Sequence, residues 1–280
     1  MTAITLIGRG AIGGAVAAAL AAGAVPGARH VATILRDGAC TPDGRPLAPD
    51  AAVAAADLVV EAAGPEAVDR WGPAVVAAGK DLLVVSVGAL VADGLVERLR
   101  AGPGRILVSS GAIGGLDLIR AAARAGAIRS VRLTTVKPAA ALGVAPADPP
   151  AGPTADPSTA GSPAGGTPGA GTPAGPPGPV EVFAGTARDA VVAHPRSLNV
   201  AATLALACGS WDAVEVRLLA DPAATANTHT VEVDGEAGTY RLEARNRPSP
   251  TTPTTSGVTA AAVLRAIADR TAPADQWSFA

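Results

Sequence analysis

Gly8-Arg9-Gly10-Ala11-Ile12-Gly13 follows the apolar run Ile4-Thr5-Leu6-Ile7 and precedes a long alanine-rich segment. A strand, a glycine turn and a helix in that order are what a dinucleotide pyrophosphate requires. Gly8 permits the turn, Gly10 lets the backbone approach the phosphates, and Gly13 lets the helix pack closely. The first-turn N–H groups, from Ala11 and Ile12 onward, face the negative charge. The residue that reads the adenosine ribose is due about 20 positions later, where Leu35-Arg36-Asp37-Gly38 lies. Asp37 would bond the ribose hydroxyls of NAD, and Arg36 would neutralise the extra phosphate of NADP. With both present, either cofactor, NAD or NADP, stays open. Glu61-Ala62-Ala63-Gly64-Pro65 and Ser86-Val87-Gly88-Ala89-Leu90 end two further apolar runs with small residues. Strand C-termini of this kind line the cofactor crevice, with Ala63 and Gly64 at its edge.

Proton chemistry near neutral pH calls first on histidine, and the chain has three. His30 reads as a turn residue ahead of the second strand, and His194 precedes Pro195. Only His229 enters a predicted strand of the second half. No His/Cys/Asp cluster has ligand spacing, so no metal is expected. Cys40 and Cys208 lie far apart and read as free thiols of a reducing compartment.

The elements that must hold these residues follow from periodicity. Strands at 31–35, 58–63, 81–87 and 106–108 alternate with helical stretches near 66–79 and 90–101, which implies βαβ units and a parallel sheet. A helix over 113–127 is followed by strand patterns at 131–136, 180–183, 212–220, 228–233 and 240–244, then by a helical pattern over 257–270. The fold class expected is an α/β Rossmann domain plus a C-terminal α+β domain with a mixed sheet. The bounds are 1–110 for the dinucleotide-binding domain, 111–256 for the substrate and oligomerisation domain, and 257–280 for a C-terminal helix and tail. Residues 143–179 are nearly all Pro, Gly, Ala, Thr and Ser and cannot bury enough apolar surface to offset their ordering entropy, so a disordered insertion is expected there.

Of the 280 residues, 49% are hydrophobic but only 2% aromatic, so the core must be built from Ala, Val, Leu and Ile. A net charge of −2 gives no electrostatic reason for a nucleic-acid or anionic-membrane partner. The segment 11–28 carries no charge, yet it is Ala/Gly-rich, lacks the basic start of a signal peptide and is too weakly apolar to span a bilayer. It reads as a core helix of a cytoplasmic protein.

Several segments together resemble the L-aspartate dehydrogenase family. They are Ser109-Ser110-Gly111-Ala112-Ile113-Gly114-Gly115-Leu116-Asp117, Thr134-Thr135-Val136-Lys137-Pro138, Asn199-Val200-Ala201-Ala202-Thr203, Asp221-Pro222 with Asn227-Thr228-His229, and the run 248–256. The resemblance covers the chain from the glycine turn to the last helix, apart from 143–179. It implies oxidation of L-aspartate with NAD or NADP, or the reverse reductive amination, in a homodimer whose C-terminal domain carries the substrate pocket. It also implies that Ala112 and Asn199 contact the cofactor and that His229 is the catalytic histidine. The substrate carboxylates would take cationic partners, for which Lys137 and Arg196 are the candidates, with Asn227 beside them. The run 252–256 reads Thr-Pro-Thr-Thr-Ser where the family commonly has Asn-Pro-Lys/Arg-Thr-Ser, so one cation is missing. Two other readings remain open: a dehydrogenase or imine reductase acting on another amino acid, and a non-catalytic dinucleotide sensor.

Overall fold

The computed structural model describes residues 1–144, 178–195, 197–249 and 255–271. Most of the 143–179 insertion, Arg196, Thr252, Thr254 and the end of the expected tail lie outside the described residues.

The first half runs β1 (Thr2–Ile7), α1 (Ala11–Ala21), β2 (Ala28–Leu35), β3 (Gly38–Cys40), β4 (Pro46–Leu47), α2 (Pro49–Ala54), β5 (Leu58–Glu61), α3 (Pro65–Ala77), β6 (Asp81–Val84), α4 (Leu95–Arg100) and β7 (Ile106–Val108). Its sheet has the order β4-β3-β2-β1-β5-β6-β7. The five strands β2, β1, β5, β6 and β7 are parallel. The C-termini of β1 and β5 meet at the point where the chain reverses its direction of winding, which is where such sheets bind ligands. Apolar runs without alternation are explained by cover on both faces: Leu58 and Val60 enter one core cluster, and Val59 enters the other.

Two sequence expectations change here. The sheet is not wholly parallel, because the chain turns straight back after β2 and adds β3 and β4 antiparallel. His30 lies inside β2 rather than before it, since that strand begins at Ala28.

The second half runs α5 (Leu116–Arg124), β8 (Ile128–Pro138), β9 (Val180–Thr186), α6 (Ala187–Ala193), α7 (Asn199–Cys208), β10 (Val214–Asp221), β11 (Asn227–Gly235), β12 (Gly238–Asn246) and α8 (Val258–Thr271). Its sheet has the order β12-β11-β8-β10-β9 and is mixed, with β8 and β10 parallel and the other neighbours antiparallel. Ile119 of α5, Val191 of α6 and Leu204 of α7 share a core cluster with Leu133, Val216 and Val231 of the strands, so these helices cover one face. α8 does not join them. Val263 and Ile267 of α8, four residues apart and fully buried, pack with Val16 and Leu20 of α1 and with Ile4 and Leu6 of β1. Among the described residues the buried apolar ones are all Ala, Val, Leu or Ile, as the shortage of aromatics requires.

Candidate active site

The turn between β1 and α1 leaves a space on one side and is full on the other. Gly8 has φ +95°, and a Cβ there would lie 2.8 Å from both the Ala62 carbonyl oxygen and the Ala63 Cβ. A Cβ on Gly13 would lie 2.3 Å from the Gly8 carbonyl oxygen. A Cβ on Gly10 would meet nothing within 4 Å. Gly10 caps α1, no side chain bonds the helix end, and its first turn holds no acidic residue. Ala11, Ile12 and Gly13 therefore offer backbone N–H groups and the positive end of the helix dipole to an anion beside Gly10. This cradle fits a dinucleotide pyrophosphate.

Glu61 is fully buried at the end of β5. Its Oε1 accepts from Ala63 N and Gly64 N, both at 2.8 Å, and from Ser86 Oγ at 2.9 Å. Its Oε2 accepts from Ser86 N at 2.9 Å and Val85 N at 3.3 Å. One carboxylate thus ties together the turns after β5 and β6, fixing Ala63 and Gly64 against the glycine turn. Arg36 and Asp37 occupy the two-residue turn that joins Leu35 to Gly38 across the β2–β3 pair. Both are exposed.

The other wall comes from the second half. β8 and β11 are antiparallel neighbours that place His229 directly opposite Thr135, and Thr135 Oγ1 lies 3.1 Å from His229 Nδ1. Period-two alternation puts Thr135 and Lys137 on one face of β8. His229 is 3% exposed, and burial, followed by the charge of Lys137, lowers its pKa to about 4. Lys137 is 5% exposed; burial lowers its pKa to about 8, and its Nζ donates to the Ser197 carbonyl at 3.0 Å. Asn227, at the start of β11, is buried; its Nδ2 reaches Ser256 Oγ at 3.4 Å, while its Oδ1 has no partner. Asn199 opens α7, and its Oδ1 accepts from Gly88 N at 2.9 Å, which leaves its Nδ2 free to donate. The Ala112 carbonyl accepts from Asn246 Nδ2 at 2.9 Å.

A cavity of about 150 Å³ is lined by Ile12, Ala112, Asn199, Lys137, Asn227 and His229, among others. Six residues expected at the site from separate stretches of sequence thus share one space. Gly8, Gly10, Gly13, Arg36, Asp37, Ala63 and Gly64 are not in its lining; they stand at the ends of β1, β2 and β5, where the rest of a dinucleotide would extend. Arg196 lies outside the described residues. A larger cavity, about 730 Å³ between β7, α4 and α5, holds Arg100 and Arg120 but no group that titrates near neutrality. Among the described residues no cluster could hold a metal ion.

Glu61, Ser197 and Thr135 were not singled out for a role by sequence reasoning. For Thr135 a signal existed, since it sits two positions before Lys137 in a strand and so shares its face. Glu61 showed itself only as a lone charge closing an apolar strand. Nothing local announces that the Ser197 carbonyl receives Lys137.

Residues 8–103 match the model of the homoserine dehydrogenase NAD-binding domain, and residues 170–270 match that of the aspartate dehydrogenase C-terminal domain. An L-aspartate dehydrogenase of Pseudomonas aeruginosa is 38% identical over 215 residues, covering 75% of this chain and 73% of that protein. One from Brucella anthropi is 34% identical and covers 96% of each chain. The crystal structure of aspartate dehydrogenase from Thermotoga maritima has the same fold, with a TM-score of 0.69 at 23% identity over the whole of both chains. Fold and cavity together define a two-part dehydrogenase with a nicotinamide-nucleotide site. Within that class, the chain belongs to the L-aspartate dehydrogenase family.

Proposed function

We propose that this protein oxidises the amine of L-aspartate with NAD or NADP, giving iminoaspartate, which one water hydrolyses to oxaloacetate and ammonia, and that it catalyses the reverse amination. The observation that carries this reading is the cavity in which Ile12, Ala112 and Asn199, expected at the cofactor, meet Lys137, Asn227 and His229, expected at the substrate. When bound, NAD or NADP would supply the acceptor for the hydride that leaves Cα. The chain's own residues bind, orient and exclude water. Asn199 Nδ2 is held free to donate, and the buried acceptor of Asn227 suits an N–H of the substrate. Lys137, a cation at pH 7 with a single hydrogen-bond partner, suits a carboxylate. His229, uncharged at neutral pH, stands at the reacting centre. Arg196 is assigned to the second carboxylate on the resemblance alone. A homodimer and a cytoplasmic location belong to the same proposal; among the described residues no helix is long and apolar enough to cross a membrane.

The test is absorbance of the reduced cofactor, followed with L-aspartate and with oxaloacetate plus ammonia, using each cofactor. Turnover is expected in both directions, and His229→Ala is expected to lower it by about 10²–10⁴-fold while cofactor affinity holds. Turnover of another amino acid with none of L-aspartate would overturn the substrate assignment. Light scattering measures the oligomeric state.

A further inference from the structure

Resting on the reading above, we propose that Thr135 is a positioning residue whose hydroxyl donates to His229 Nδ1. It thereby holds the imidazole as the Nε2–H tautomer, so that His229 meets the substrate as a hydrogen-bond donor to an oxygen rather than as an acceptor of the amine proton.

The argument is an accounting of hydrogens. Thr135 is fully buried, and its one side-chain hydrogen bond among the described residues is with Nδ1 of His229, at 3.1 Å. A hydroxyl carries one hydrogen, and a buried donor left without an acceptor is costly. If Nδ1 carried the ring hydrogen and donated to Thr135, the hydroxyl hydrogen would have no acceptor. If the hydroxyl donates to Nδ1, its buried hydrogen is placed, and the ring hydrogen on Nε2 is left for the cavity that His229 lines. The ring cannot settle the matter by taking a second proton, because burial and the Lys137 charge keep it neutral. Among the described residues the His229 ring makes no other hydrogen bond, and its partner across the β11–β12 pair is Ala244, which has only a methyl group. With Nδ1 engaged, Nε2 on the far side of the ring carries the hydrogen.

A neutral imidazole N–H polarises a carbonyl or supports a developing alkoxide without giving up a full proton. At this site the matching atom is the oxygen on C2, which is the carbonyl of the 2-oxo acid in amination and the hydroxyl of the carbinolamine in oxidation.

Long-range 1H–15N correlation spectra of the uniformly 15N-labelled, ligand-free protein report which ring nitrogen bears hydrogen. With three histidines in the chain, comparison with His229→Gln assigns the signals. The expected pattern is a protonated Nε2 and an unprotonated Nδ1; the reverse pattern overturns the proposal. This measurement needs no substrate, so it stands or falls apart from the identity of the amino acid. In kinetics, Thr135→Val should lower kcat for amination by about 10–100-fold with KM nearly unchanged, and Thr135→Ser should restore most of it. Wild-type kcat in Thr135→Val, or equal losses in both variants, would also overturn it.

Discussion

Gly8 and Gly10 sit two residues apart in one turn, yet an added methyl should do opposite things at each. Gly10 has φ −72°, which any residue adopts, and its Cβ would enter open space. Gly10→Ala should therefore leave folding close to wild type. The smaller unfolded-state entropy, worth about 0.4–1 kcal/mol, is offset by a comparable loss, roughly 0.5–1 kcal/mol, at the helix cap. The open space is where the pyrophosphate must approach the first-turn N–H groups. A methyl there forces the phosphate back by about 1 Å and weakens at least one charge-assisted bond worth about 1.5–3 kcal/mol, raising the cofactor Kd roughly 10- to 150-fold. Gly8→Ala meets the reverse situation. At φ +95° an L-residue is strained by about 1–2 kcal/mol, and contacts of 2.8 Å with Ala62 and Ala63 add an overpacking cost of about 1–3 kcal/mol. Its thermal midpoint should drop by several degrees or more. Thermal unfolding and calorimetric titration of NAD and NADP on both variants decide the matter. If Gly10→Ala binds cofactor as the wild type does, or is destabilised as much as Gly8→Ala, the cradle has been assigned to the wrong glycine.

His229 supplies a pH prediction. Its folded pKa of about 4, against 6.5, means that the unfolded chain takes up its proton first, so stability is lost as pH falls from 6.5 toward 4, by about 3 kcal/mol in total. Urea unfolding of wild type and His229→Gln across that range should show a flatter dependence in the variant. Arg36→Ala should weaken NADP more than NAD, and Asp37→Ala should weaken NAD more; equal effects in binding titrations would remove the pair from the ribose site. Glu61→Gln turns an amide N–H₂ toward backbone donors, and should cost roughly 2–3 kcal/mol in denaturant unfolding while loosening cofactor binding.

The parts of this molecule that were legible in its sequence are those in which local pattern and global role coincide. Ile4–Ile7 had to be a strand, the glycines after it a tight turn into a helix, and the alternating stretches from 131 onward a half-buried sheet. Where a residue's meaning depends on a distant partner, the sequence was silent. The β3–β4 return after Arg36-Asp37 is built from so few residues that no periodicity could develop. α6 is also short, at 7 residues, and Thr186, which caps it by accepting from Asp189 N, is at the same time the last residue of β9. The site was legible in its residue types but not in its wiring: Lys137 was visible as a cation, whereas its bond to the Ser197 carbonyl joins positions 60 residues apart.

The seating of α8 has a bearing on how the chain is born. Val263 and Ile267 shelter Val16, Leu20 and the first strand, and Arg270 reaches back to Asp81 at 2.8 Å. A nascent chain that has finished its nucleotide-binding sheet still lacks the helix that closes one side of it. Until residue 271 has cleared the ribosome, Ile4, Leu6 and Val16 present a bare apolar flank, the kind of surface chaperones recognise. The strand at residues 2–7 thus waits for the helix at residues 258–271 before that side of the nucleotide-binding sheet is covered.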